Sequence, residues 1–450
     1  MGSKLKLRYY VATLCIIGIV TRLQWFNPAS VLTHSDWSYW AQSAMKQLRY
    51  GWASWLTFSG LGAPNIQIPF LGFNLVWCLL ALFGQSYDTA TKITFLMPVA
   101  LLGLLALFFL SLKLTQNKII ALVVSLTYAS TTYFLLRQTA HLPIAFVYAL
   151  TPLAIFFMIK AFESGTIRAW LLFYLIVFLS LIYALRICLI LIFICIVFAL
   201  VIEGPKRIVS LARPILIGSG IFLLMNLFWL LPTIFGGAIS TIEAVENRGL
   251  FGDQLFDLSH ALALSESAWT GGTPNESFTM QPILPYLWLL PIIAILLAIF
   301  IKEFSSKNKK IIISLLLIGL VGTLLTKQSA EPFTGLYQYL YDNIPGFNLY
   351  REASKFYLLT AFSYAMLVGY AALLFASNKI NWSSKKYIYS AAAAWRPILA
   401  QRKEFQGRRV IGVGDGNILV TIYHGVVNVH HLMKYQSRRK SAKIKIGALE

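Results

Sequence analysis

Residues 93–112 read ITFLMPVALLGLLALFFLSL, twenty positions without a charge. As a helix rising 1.5 Å per residue, such a stretch covers roughly 30 Å, the thickness of a bilayer's hydrocarbon core. Comparable blocks fall at about 9–21, 66–84, 119–136, 142–160, 169–202, 214–235, 283–301, 311–327 and 356–376. They are long and rich in Leu, Ile, Phe and Ala, which does not fit the weak alternation of a β-barrel. Of the 450 residues, 58% are apolar and 12% charged, and the mean hydropathy is +0.69. A soluble domain carries roughly 25% charged residues. The expected fold class is therefore all-α: a polytopic helical membrane protein with about ten spanning helices.

The net charge of +21 raises the question of nucleic acid, but its distribution points elsewhere. Residues 378–450 hold 14 Lys and Arg against 3 acids, and the rest of the excess sits in short loops beside apolar blocks. That pattern is the positive-inside rule, so membrane lipids and not nucleic acid are the expected contacts of the basic residues. Cys15, Cys78, Cys188 and Cys195 all lie within apolar blocks and suggest neither disulfides nor a metal site. The start, Lys4-Leu5-Lys6-Leu7-Arg8 before an apolar run to Val20, has no small-x-small cleavage site and reads as an uncleaved signal-anchor.

Two blocks are ambiguous. The 66–84 block contains Pro69, Gly72 and Asn74. The 169–202 block has 34 residues, about 51 Å as one helix, with Arg186 at its middle and no Gly or Pro to mark a turn. Charge separates the options. With 66–84 lying at the outer interface and 169–202 a hairpin, ten crossings put 28 of the 38 Lys and Arg inside and 10 outside; with 66–84 crossing, the numbers exchange. The first arrangement places both termini in the cytoplasm, most naturally across a plasma membrane. It assigns residues 1–377 to a membrane domain with outer loops 22–92, 236–282 and 328–355, and 378–450 to a basic cytoplasmic tail. The tail's Gly412, Gly414 and Gly416 lack the dinucleotide-binding spacing, and His424, His430 and His431 lack Cys or carboxylate partners.

Polar groups then gather on the outer face. Residues 35–56, SDWSYWAQSAMKQLRYGWASWL, set Trp37, Trp40, Ala41, Ala44, Met45, Leu48, Trp52 and Trp55 near helical spacing, with Asp36, Gln42, Lys46 and Arg49 off that stripe. Such a segment lies in the membrane interface. Asp36 is the first acid in the chain. A carboxylate there suits a general base or a divalent-cation ligand, and Ser35-Asp36 equally suits a helix cap. Glu243, Glu246, Arg248, Asp253 and Asp257 form a second polar cluster that reads first as a solvated loop.

Several segments resemble the GT-C glycosyltransferases, which take sugars from lipid-phosphate carriers. They are Asp36-Trp37, WLTFSGLGAP at 55–64, FLGFNL at 70–75, LVVSLTYASTTY at 122–133, YALTPL at 148–153 and PGFNLYREASKF at 345–356. The resemblance covers roughly residues 9–376. It is closer to the membrane region of mycobacterial-type arabinofuranosyltransferases and to YfhO-like membrane proteins. It implies a GT-C-like fold, a polyprenyl-phosphate sugar donor, a glycan, lipid or protein acceptor, and a divalent cation such as Mg or Mn. It implies that Asp36 is the catalytic base or metal ligand. The arabinofuranosyltransferase type carries large additional outer domains, so no particular sugar or acceptor follows.

A donor phosphate needs cations at the outer interface, and the Arg fork donates two hydrogen bonds at once. Arg351 and Lys355 are the expected phosphate holders, joined by Arg137 and His141. Arg186 is either an intramembrane functional Arg or the outer tip of a hairpin. Interfacial snorkelling is the plainer reading of each. Two other classes stand beside the enzyme. A lipid or polysaccharide-precursor flippase lacks the expected carboxylate inside a span, and a non-catalytic scaffold requires Asp36 to be dispensable.

Overall fold

The computed structural model describes residues 6–26, 41–47, 55–56, 63–64, 72–235, 249–251, 256–266, 268–269, 278–279 and 282–376. The chain divides into two units, Met1–Ser383 and Ser384–Glu450, and every described residue belongs to the first. Asp36, most of the 35–56 segment, Arg248 and the 378–450 tail lie outside the described residues.

The described chain is helical. In order it forms α1 (Leu7–Val20), α2 (Gln42–Gln47), α3 (Gly72–Leu82), α4 (Tyr87–Thr115), α5 (Lys118–Ala129), α6 (Thr132–Ala140) and α7 (Leu142–Ser164). There follow α8 (Ile167–Tyr183), α9 (Leu185–Glu203), α10 (Pro205–Ser210), α11 (Ala212–Phe235) and α12 (Leu258–Ala263). The last are α13 (Pro285–Ile299), α14 (Ser306–Thr326), α15 (Thr334–Asn343) and α16 (Ala353–Ala376), which starts in a 3-10 turn. Two antiparallel ladders of two residues each, Trp55–Leu56 with Ala63–Pro64 and Ala268–Trp269 with Phe278–Thr279, complete it.

Among the described residues six helices are long and apolar enough to cross a membrane: α4, α7, α9, α11, α14 and α16. A seventh candidate is the pair α5 and α6, bent by 58°. This set fits a multi-pass membrane protein. Among the described residues the 66–84 block carries the 11-residue α3, about 16 Å long, and residues 66–71 lie outside the described residues. The 93–112 block begins earlier than expected, because Ser86 caps α4 by accepting from Thr89 N at 3.3 Å.

The 169–202 block breaks at Ala184, whose φ of −155° and ψ of 87° are extended. Cys188 Sγ then lies 3.4 Å from the Val177 carbonyl oxygen. In a straight helix residues eleven apart are separated by about 16 Å, so the chain folds back as a hairpin. Arg186 stands at its tip.

Short joints work because each exposed helix end is satisfied locally. Between α4 and α5, Gln116 turns left-handed (φ 56°) and Asn117 accepts from Ile119 N and Ile120 N. Between α7 and α8, Gly165 takes φ 65° and Thr166 caps the next helix. Thr131 caps α6. Pro152 inside α7 offers no amide to the Tyr148 carbonyl four residues earlier. That carbonyl instead accepts from the Tyr128 hydroxyl at 2.9 Å, and the Tyr148 hydroxyl returns a bond to Tyr128 O at 3.0 Å. The two rings stack with centroids 4.0 Å apart and tie α5 to α7.

Helices approach closely where side chains are small. A Cβ on Gly322 of α14 would sit 2.6 Å from Thr360 Oγ1 and 2.7 Å from Leu359 Cβ on α16. One on Gly18 of α1 would sit 2.5 Å from the Ala100 carbonyl oxygen on α4. Replacing Gly322→Leu should therefore lower stability by about 1–3 kcal/mol through overpacking. Thermal unfolding of the purified protein in detergent checks this, with Gly220→Leu, whose Cβ meets nothing within 4 Å, as the neutral control.

Candidate functional site

The cationic residues expected at the outer interface come together. The C-terminal turn of α6 carries Arg137, and His141 follows at the joint with α7. The 3-10 start of α16 carries Ser354 and Lys355, with Arg351 and Glu352 just before it. The segment after α12 brings Glu266, and the α8–α9 tip brings Arg186.

Arg137 is the hub. Its Nη2 bonds Glu266 Oε1, donates to Ser354 Oγ at 2.9 Å and lies 3.6 Å from Glu352 Oε1. Its Nη1 is 3.2 Å from His141 Nδ1, and the guanidinium rests over the Tyr133 ring at 5.2 Å. Lys355 Nζ donates to Glu352 Oε2 at 2.9 Å, while Ser354 Oγ donates to Glu352 Oε1. Arg137 and Glu266 are 4% and 5% exposed. Arg186, Arg351, His141 and Glu352 are half-buried.

Backbone contacts hold these segments in place. Tyr350 donates from its hydroxyl to Arg186 O at 2.8 Å. Tyr357 donates to Ser265 O at 3.1 Å, and Thr132 Oγ1 donates to Leu264 O. Gln328 Nε2 and Phe251 N both reach Arg351 O, at 3.0 and 2.9 Å. The Arg351 guanidinium lies over the Phe251 ring at 5.6 Å.

Four cations thus face two carboxyls. Arg351 repels Arg186, and Glu352 attracts it. The two carboxyls part company. Burial acts against Glu352, but Lys355, Arg137 and the Ser354 hydroxyl overcome it and hold its carboxyl well below the usual range. Burial and the Glu352 charge outweigh Arg137 at Glu266 and push that carboxyl up to about 8. A carboxyl pair split in this way leaves one permanently ionised and the other able to hold a proton near neutral pH. Glu266 Oε2, Arg137 Nε and the Tyr133 hydroxyl are buried without a hydrogen-bond partner among the described residues. The surplus of positive charge suits an anion such as a phosphate.

The expected residues therefore meet, but not all in the expected role. Arg137 and Lys355 are buried and paired with carboxylates, so Arg186 and Arg351 are the more accessible cations. Glu266 and Glu352 were not singled out from the sequence. Glu352 sits inside the 345–356 segment, and Glu266 is a lone acid between Ser265 and Ser267 in loop 236–282. Asp257, one of the cluster read as a solvated loop, caps α12 by accepting from His260 N at 2.6 Å. Its carboxyl is held low despite partial burial, because His260 donates to it. Among the described residues no three of His, Cys, Asp and Glu come together as a metal site. Asp36, the expected ligand, lies outside the described residues.

A carboxyl whose folded pKa lies above its unfolded value stabilises fully below the unfolded value and loses that contribution as pH rises through the folded one. Glu266 should therefore make the thermal midpoint fall between about pH 4 and pH 8, a slope that Glu266→Gln removes. Glu352 acts in the opposite sense: its contribution is complete above the ordinary carboxylate range and is lost as pH falls. Glu352→Gln should cost about 3–5 kcal/mol at neutral pH, because it leaves buried cations without their carboxylate. Unfolding curves across pH separate the two. No protein-family model, curated protein or solved structure matches this chain.

Proposed function

We propose that this protein is a GT-C-like membrane glycosyltransferase. It moves a sugar from a polyprenyl-phosphate donor to an acceptor at the outer face of a plasma membrane. The observation that carries the reading is the convergence of Arg137, His141, Arg186, Arg351 and Lys355 from three distant parts of the chain around a positive surplus. The ten-crossing arrangement with both termini cytoplasmic belongs to the same reading. The three shorter apolar helices Leu7–Val20, Ile167–Tyr183 and Pro285–Ile299 fall on the remaining apolar blocks and support it.

In this mechanism Asp36 takes the proton of the acceptor hydroxyl. The acceptor oxygen bonds the anomeric carbon as the bond from that carbon to the phosphate oxygen breaks, and the electron pair leaves on the phosphate. Arg351 and Arg186 meet the charge that develops there. Arg137 and Lys355, fixed by Glu266 and Glu352, keep the α16 start and the Arg351 backbone in position.

Transfer from radiolabelled polyprenyl-phosphate sugars by the purified protein in liposomes tests the proposal. Asp36→Asn should lower the rate by about 10²–10⁴-fold, the usual worth of a general base. Arg351→Gln should lower it by about 10–100-fold, the worth of a charge-assisted hydrogen bond. Unchanged transfer in Asp36→Asn would remove Asp36 from the mechanism. No transfer by the unaltered protein from any donor would overturn the enzyme reading and favour lipid movement or a scaffold.

A further inference from the structure

A groove of about 670 Å³ opens beside α1, between α4, α5 and α6, away from the Arg137 network. Its walls include Ile17, Leu104, Val123, Leu126 and Leu135. Val123 and Leu135 are exposed, at 39% and 50%, and so face the surrounding membrane. The hydroxyls on the walls are turned inward on their own helices: Thr21 Oγ1 donates to Ile17 O, Thr127 Oγ1 to Val123 O and Ser130 Oγ to Thr127 O. The walls therefore offer hydrocarbon a dry, apolar surface.

At one end stands Arg22, only 7% exposed. Its Nε donates to Gln138 Oε1 at 2.8 Å, and its Nη1 to Thr21 Oγ1 at 2.9 Å and Gly18 O at 3.3 Å. Its ring neighbour is Trp25, at 5.5 Å. All these partners are neutral, and among the described residues no carboxylate pairs with it. A buried guanidinium without a counter-charge is costly. Gln138 also lines the groove, and its buried Nε2 has no acceptor among the described residues. A buried charge without a carboxylate among the described residues, beside one amide donor without an acceptor, calls at the head of an apolar groove for an anion carrying a hydrocarbon chain.

We propose that this groove binds an anionic membrane phospholipid, with an acyl chain along α5 and α6 and its phosphate on Arg22 and Gln138. The site is separate from the proposed transfer site and does not depend on that reading. The occupant comes from the bilayer, because the exposed rim opens sideways onto it. The Arg22 charge and the Gln138 Nε2 donor match a phosphate, and the apolar walls match the chain. Gln138 follows Arg137 directly in α6, so a bound lipid would also steady the helix that carries the hub of the other site.

Native mass spectrometry of the delipidated full-length protein, titrated with phosphatidylglycerol, phosphatidylcholine and inorganic phosphate, tests this. We expect one phosphatidylglycerol to bind at least about tenfold more tightly than phosphatidylcholine. Arg22→Gln should weaken it by about tenfold or more, and Arg22→Lys, which keeps charge without the fork, should weaken it less. Val123→Trp fills the exposed rim while keeping Arg22, and should also reduce binding. It carries the test if Arg22→Gln fails to fold. Equal binding of the two lipids, unchanged phosphatidylglycerol binding in both Arg22→Gln and Val123→Trp, or equal competition by inorganic phosphate would overturn the proposal.

Discussion

The guanidinium of Arg137 is buried where it cannot be hydrated, and much of the polar end of the protein is arranged around that fact. An isolated charge in such a place would cost several kcal/mol. Its carboxylate, hydroxyl and imidazole contacts come from Glu266, Glu352, Ser354 and His141, so the end of α6, the start of α7, the residues after α12 and the start of α16 must all converge. Two cations and two carboxyls then share one buried space. The result is unequal: Glu352, between Lys355 and Arg137, stays ionised, and Glu266 is left with the poorer share of positive charge.

The same demand for satisfaction governs the backbone. In an apolar surrounding each free N–H or C=O is expensive, so a chain of helices can turn only where something local completes the bonds. Asn117, Thr131 and Thr166 do this with side-chain oxygens at helix starts. Tyr128 does it within a helix, supplying the donor that Pro152 withholds from the Tyr148 carbonyl. Because these repairs are short-range, the helices from α4 to α11 are joined by one or two residues each. Arg186, Arg137 and His141 reach the same polar end for that reason.

Two features separate the groove from the network although Arg137 and Gln138 are neighbours in sequence. Adjacent residues on a helix point about 100° apart, so Arg137 faces the carboxyl pair while Gln138 faces α1. The close approach of Gly18 to Ala100 brings α1 near enough for Arg22 to reach Gln138. One short helix therefore presents a carboxylate-paired cation on one side and, on the other, the partner of one that meets no carboxylate among the described residues.

The amino-acid sequence by itself determined that the chain is helical and apolar and where most apolar blocks begin and end, because block length and charge content are local properties. It also marked Arg137, His141, Arg186, Arg351 and Lys355, since cations beside apolar blocks stand out in one dimension. It could not decide the break at Ala184, where no Gly or Pro interrupts the pattern. There the hairpin is accompanied by tertiary contacts, Tyr183 against Phe146 and Tyr350 on the Arg186 carbonyl. Nor could it pair Arg137 with Glu266, 129 positions away, or Arg22 with Gln138, 116 positions away. Which charge meets which is set by helix packing in three dimensions, and the cations that surround each buried carboxyl, not residue type, then push Glu352 down and leave Glu266 raised.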